Sequence, residues 1–159
     1  MKVTTLTVDC GGTGIKASVL DKGGKVLIDF PYLKTPYPLS PSKLISIIDD
    51  FVKADNRIKR VTLGLPGMIR GGKVIVIPHY VNASGPRGVV DPHLKKAWYG
   101  FDMQTMLKKK IKLPTLVLND AEVHASAVIT GKGLETVLTF GTGLGSAIFS
   151  DGVIAPHLE

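Results

Sequence analysis

Residues 3–8 are a run of β-branched and apolar side chains, and after a break Ile15, Ala17 and Val19 alternate with Lys16, Ser18 and Leu20; both patterns predict strands. Asp21-Lys22-Gly23-Gly24 reads as a hairpin turn into a third strand over residues 25–30, so three antiparallel strands open the chain. Four prolines between residues 31 and 41 make an extended connection, and Ser40 followed by Pro41 is an N-cap with proline at the first helical position. Leu44, Ile45, Ile47, Ile48, Phe51 and Val52 then recur at helical spacing, which predicts an amphipathic helix packed on the sheet. Residues 60–65 predict a short buried strand ended by Pro66-Gly67, with a hairpin after it. From residue 78 to 99 the pattern lapses into a stretch rich in Gly, Pro and His, expected to be irregular. Asp102 N-caps a predicted helix running to Lys112, with Met103, Met106 and Leu107 inward and Lys108, Lys109 and Lys110 near its C-terminus, where the helix dipole favours cations. Pro114 ends it. Leu116-Val117-Leu118 is expected as a buried strand, residues 121–129 as a helix, and residues 137–140 and 146–149 as strands joined by a glycine turn.

Composition narrows the class. With 159 residues, 44% of them hydrophobic, the chain has enough apolar surface for a real core and shows no internal repeat or low-complexity tract. No apolar run reaches the length of a membrane span and no signal-peptide pattern precedes the first strand, so a cytoplasmic protein without membrane contact is expected. The single cysteine, Cys10, excludes an internal disulfide and is expected to be a small buried side chain. The net charge of +7 is concentrated: residues 53–112 hold 13 Lys and Arg against 3 Asp, a net +10, leaving −3 for the rest. Such a segment attracts polyanions, whether nucleic acid, inorganic polyphosphate or nucleotide, or it is a solvated basic surface. Nucleic acid is disfavoured, because RNP-type aromatics, zinc-finger spacing and a recognition helix are all missing. His79, His93 and His124 have no metal-ligand spacing and read as ordinary structural residues.

Candidate chemistry sits at the ends of strands. Asp9-Cys10-Gly11-Gly12-Thr13-Gly14-Ile15-Lys16 is a glycine-rich turn between two strands. Its glycines can reach positive φ and leave backbone N–H groups uncovered, the geometry that cradles phosphate oxygens; Thr13 adds a hydroxyl and Lys16 a cation. Asp9 beside a polyanion requires Mg²⁺ or its bound water between them. The alternative is a tight hairpin whose glycines serve the turn alone. Neither the dinucleotide fingerprint nor the P-loop fits, since both open a helix and here a strand follows. Asn119-Asp120 closes a strand and opens a helix, so Asp120 either faces a cleft or one of the pair simply caps the helix. A second glycine turn, Gly141-Thr142-Gly143-Leu144-Gly145, repeats the strand, loop, strand arrangement 130 residues after the first. Two such loops can grip a phosphate chain from both sides.

These motifs, in this order, resemble the ROK sugar kinases of the actin, Hsp70 and sugar kinase superfamily, and within them the bacterial polyphosphate glucokinases. The resemblance implies an α/β, ribonuclease-H-like lobe over residues 1–118, with a mixed sheet flanked by helices, and the beginning of a second lobe over residues 119–159. It implies phosphoryl transfer from polyphosphate, ATP or both to the 6-hydroxyl of glucose, with Mg²⁺ as cofactor and a homodimer at full length. By that likeness Asp120 is the general base. Asn119, Asp120, Asn82 and Glu159 contact the sugar, and Trp98-Tyr99-Gly100 matches a Trp-x-Gly of the family. Gly11, Gly12, Thr13, Gly14, Lys16, Gly141, Thr142 and Gly143 hold phosphate, and Asp9 reaches Mg²⁺ through water. Members continue well beyond the point matched by Glu159, so the chain reads as about half a kinase, and its Leu158-Glu159 ending also matches a cloning junction. The other readings are a non-catalytic sugar- or phosphate-binding module and an ATP-only hexokinase of the same family; a transcriptional regulator is disfavoured because no helix-turn-helix precedes Val3.

Overall fold

The computed structural model describes residues 4–140 and 144–155. The opening alternation folds as β1 (Thr4–Cys10) and β2 (Gly14–Leu20), antiparallel to each other, with β3 (Val26–Asp29) and the two-residue β4 (Leu33–Lys34) paired to the far side of β2. After α1 (Pro41–Ala54), capped by Ser40 Oγ accepting from the Lys43 N–H at 3.2 Å, β5 (Ile58–Leu65) returns parallel to β1. The hairpin β6 (Met68–Arg70) and β7 (Lys73–Val76) turns at Gly71 and Gly72, both at positive φ. Then come α2 (Pro92–Trp98), α3 (Met103–Ile111) and β8 (Thr115–Asn119), the last parallel to β5. The main sheet runs β3-β2-β1-β5-β8, the mixed α/β order expected. After α4 (Asp120–Ala125), β9 (Leu134–Phe140), β10 (Leu144–Ser150) and β11 (Val153–Ile154) form a separate antiparallel sheet.

The period of two along β1 decides how the main sheet is used. Leu6, Val8 and Cys10 point to one face with Ile15, Ala17, Val19, Val61 and Leu63, and join one core with Leu44 and Ile48 of α1 and Met103, Leu107 and Ile111 of α3. Thr5, Thr7 and Asp9 occupy the other face, in register with Leu20, Ser18 and Lys16. At the C-terminal edge of the three parallel strands, β1, β5 and β8, this polar face meets α4.

Several local expectations change. The stretch 78–99 contains α2, with Asp91 Oδ1 accepting from the His93 and Leu94 N–H groups at 2.7 and 3.2 Å and Pro92 opening the helix. Asp91-Pro92 is the same signal as Ser40-Pro41, and the turn-rich surroundings mask it. Met106 is 43% exposed, because the inward stripe of α3 advances four residues at a time through Met103, Leu107 and Ile111. β8 is an edge strand with Leu116 exposed and only Val117 buried. α4 stops at Ala125, four residues short of expectation; the Glu135 carboxylate ties up the Thr130 and Gly131 N–H groups at 2.7 and 2.8 Å, and Gly131 and Gly133 turn the chain at positive φ. Cys10 is buried as expected, and burial pushes its thiol far up, with the Asp9 charge adding to the shift. Among the described residues no helix is long and apolar enough to cross a membrane.

Candidate active site

Asn119 is the N-cap of α4. Its side chain accepts from the Ala121 N–H at 2.7 Å and from the Glu122 N–H, and Glu122 Oε2 accepts from the Asn119 N–H at 2.9 Å, the two halves of a capping box. Its Nδ2 donates to the Gly67 carbonyl at 2.6 Å, so the Pro66-Gly67 turn is stitched to the start of the helix. With the cap supplied by Asn119, Asp120 is the first helical residue. A Cβ on Gly64 of β5 would lie 3.3 Å from Val123 Cγ2 and 3.4 Å from Asp120 Cα, so a glycine here lets α4 settle onto the sheet.

Asp120 is thereby half-buried at the mouth of the parallel strands, and its carboxyl is pushed above the ordinary carboxylate value, first by burial and then by the nearby charge of Asp9; the Ala121 N–H and His124 pull the other way. Asp9, the last-but-one residue of β1, lies opposite Lys16 and beside Gly64. His124 follows Asp120 by one turn of α4 and brings Nε2 to 3.5 Å from Asp9 Oδ2. His124 is therefore part of the site and not the ordinary structural residue expected from its spacing.

The glycine loop departs from its sequence reading in its dihedrals. Gly11, Gly12 and Gly14 are absent from the positive-φ glycines, so the turn does not require glycine for its dihedrals. Close approach requires it: a Cβ on Gly14 would fall 2.1 Å from the Tyr32 ring, and one on Gly12 would fall 3.0 Å from the His79 ring and Pro86. The loop carbonyls are held from behind. The Gly11 carbonyl accepts from Thr35 Oγ1 at 2.9 Å and the Tyr80 hydroxyl at 3.2 Å, and the Gly12 carbonyl from the Tyr37 hydroxyl at 2.8 Å. The Thr13 carbonyl accepts from the Tyr32 hydroxyl at 3.0 Å and the Thr35 N–H at 3.1 Å. Burial pushes the Tyr37 hydroxyl up to about 12 and Tyr80 higher still, so both remain protonated donors. The N–H groups of Gly12 and Thr13 have no hydrogen-bond partner among the described residues. Tyr80 in turn lies between Tyr37, at 6.3 Å, and Trp98, at 5.3 Å, and Trp98 Nε1 donates to the Leu39 carbonyl at 2.7 Å.

The sequence-predicted residues thus divide. Asp9, Gly11, Gly12, Thr13, Gly14, Lys16, Asn119 and Asp120 gather at the C-terminal edge of the parallel strands. Asn82 is buried, bridges Val90 and donates its N–H to the His79 carbonyl at 3.4 Å; no hydrogen bond joins it to Asn119 or Asp120. Gly141, Thr142, Gly143 and Glu159 lie outside the described residues, while Gly145 of β10 brings the second sheet onto α4, where its Cβ would lie 2.9 Å from Ala121 Cβ. The lysine run lies elsewhere. Lys108, Lys109 and Lys110 end α3, which leads through Pro114 into the start of β8, the sheet edge opposite the site; Lys110 also pairs with Asp49 at 3.3 Å. Tyr32, Thr35, Tyr37, Tyr80 and His124 had no signal in the sequence, whereas Glu122 had one, three residues after its cap.

The pattern of the ROK family matches residues 5–156. This chain belongs to the ROK family. It is 27% identical to a polyphosphate glucokinase of Mycobacterium tuberculosis over 96% of its length, and 28% identical to an N-acetylmannosamine kinase of Escherichia coli over 94%. It covers 55% of the first relative and 48% of the second, so the chain spans about half the length of the curated ROK relatives it matches. Among solved ROK structures, the inorganic polyphosphate/ATP-glucomannokinase of Arthrobacter sp. strain KM superposes with a TM-score of 0.72 at 28% identity, over 99% of this chain and 62% of that one. A ROK family glucokinase from Streptomyces griseus, in complex with glucose and AMPPNP, gives 0.71 at 25%, over 96% and 46%.

Proposed function

We propose that this chain carries the phosphate loop and the general base of a sugar kinase that moves the terminal phosphoryl group of polyphosphate or ATP to the 6-hydroxyl of glucose. The observation that carries the reading is Asp120: a carboxylate of raised pKa, fixed on the first turn of α4 at the strand edge where two loop N–H groups without a partner among the described residues also lie. In the proposed reaction Asp120 takes the proton of the sugar hydroxyl as its oxygen attacks the phosphorus, and the bond to the donor's bridging oxygen breaks. The N–H groups of Gly12 and Thr13, with the Thr13 hydroxyl and Lys16, hold phosphoryl oxygens. Asn119 keeps a second amide hydrogen beyond its contact with the Gly67 carbonyl, enough to donate to a sugar hydroxyl. Asn82, Glu159, Gly141, Thr142 and Gly143 keep the sugar and phosphate roles that the family likeness implies.

Among the described residues no three His, Cys, Asp or Glu side chains cluster as an all-protein metal cage. The neighbouring carboxylates Asp9 and Asp120 beside a phosphate cradle do suit Mg²⁺, which binds through one or two carboxylates, waters and substrate phosphates. When bound there it would neutralise phosphate charge, with Asp9 as the residue that reaches it through water.

The test is phosphorylation of glucose and of N-acetylmannosamine, each with ATP and with inorganic polyphosphate, by an enzyme of full family length. Glucose 6-phosphate is the expected product. Turnover of N-acetylmannosamine alone would replace the sugar, and no turnover with any pair would remove the kinase reading.

A further inference from the structure

The connection over residues 31–38 looks like a linker in the sequence, yet three of its side chains end on the glycine loop. Thr35 and Tyr80 hold the Gly11 carbonyl, Tyr37 holds the Gly12 carbonyl, and Tyr32 with the Thr35 N–H holds the Thr13 carbonyl. A trans peptide is planar, with its C=O and N–H pointing in opposite directions. Pinning the Gly11 carbonyl therefore aims the Gly12 N–H away from the clamp, and pinning the Gly12 carbonyl does the same for Thr13. Peptides flanked by glycine rotate easily when untethered, and a rotated one would present a carbonyl oxygen where an anion's oxygens have to sit.

We infer that Tyr32, Thr35 and Tyr37 are positioning residues that lock the loop peptides with their N–H groups outward, making residues 11–14 a preset receptor for phosphoryl oxygens. The inference rests on the proposed phosphate role of this loop. Tyr32 is 59% exposed and Tyr37 lies partly buried at the surface of the core, so removing either hydroxyl leaves the packed interior intact. Tyr32 also lies against Gly14, so the ring and its hydroxyl act on the same turn.

The experiment titrates inorganic tripolyphosphate into the ¹⁵N-labelled 159-residue chain and follows the backbone amides of Gly12 and Thr13, with thermal melting recorded in parallel. Wild type is expected to shift both amides. Tyr32→Phe and Tyr37→Phe should each weaken binding about threefold to tenfold, the range expected for one lost hydrogen bond, with little change in melting for Tyr32→Phe. Thr35→Val should weaken it too, while Thr35→Ser, which keeps a hydroxyl, should bind as wild type does. If wild type shows no response at these two amides, the phosphate reading of the loop fails and the inference with it. If wild type responds and the three hydroxyl-free variants match it, the inference alone is overturned.

Discussion

Asp120 is placed where its charge is uncomfortable, half-buried and close to Asp9, and the proposed role as general base draws on that discomfort. An acid whose folded pKa exceeds its unfolded one destabilises the fold as pH rises above the unfolded value, because folding then favours the proton that solvent removes. Asp120→Asn keeps the shape and the contact to the Ala121 N–H without the charge. The variant is expected to melt higher than wild type at pH 7, with the gap closing as pH falls toward the ordinary carboxylate value of 3.8. An unchanged or lower melting point at pH 7 would mean that Asp120 is not under electrostatic strain. The sequence located this residue through its strand-end position and its motif. It gave no sign of His124, since a histidine one helical turn after an aspartate reaches a β1 carboxylate only because Gly64 lets the helix lie so close.

At the scale of elements, the capping box of α4 and the Pro66-Gly67 turn form one unit through the Asn119 amide. A Cβ on Gly67 would fall 2.2 Å from the Val76 carbonyl oxygen, a backbone atom with little room to yield. Gly67→Ala should therefore separate the turn from β7 and cost about 1–3 kcal/mol, the usual range for forced overpacking, in denaturant unfolding; a loss below about 0.5 kcal/mol would show that the hairpin shifts freely. The strands and the capped helices were legible because period and cap are local signals, as with the alternation of β1 and the Ser40-Pro41 start of α1. The glycine loop was legible as a loop but not in its mechanism. Its glycines answer to Tyr32, His79 and Pro86, residues 18 to 74 positions away, and contacts at that separation leave no trace in a local pattern.

At the scale of the molecule, the lysine run of α3 and the site are at opposite edges of the parallel strands. The +10 segment reads as an attractor of polyanions or as a solvated basic surface, and α3 delivers its Lys108, Lys109 and Lys110 to the edge where the parallel strands begin. Neutral replacements at Lys108 and Lys109 should leave tripolyphosphate affinity within twofold; a loss near tenfold would bring these lysines into the site, since screening at physiological salt confines a surface charge to about 8 Å. The chain spans about half the length of the curated relatives it matches. Glucose phosphorylation by the 159 residues alone is expected to be absent or marginal, since water exclusion and in-line alignment need a closed cleft. A coupled assay giving turnover comparable to a typical kinase, about 1–100 per second, would contradict that.

The most direct measurement compares glucose phosphorylation and glucose affinity in an enzyme of full family length carrying Asp120 or Asp120→Asn. Loss of a general base lowers the rate about 10²- to 10⁴-fold, and glucose affinity should stay within a few-fold because the amide keeps the shape and the Asn119 cap. A variant that turns over at the wild-type rate would contradict the assignment of Asp120 as the base.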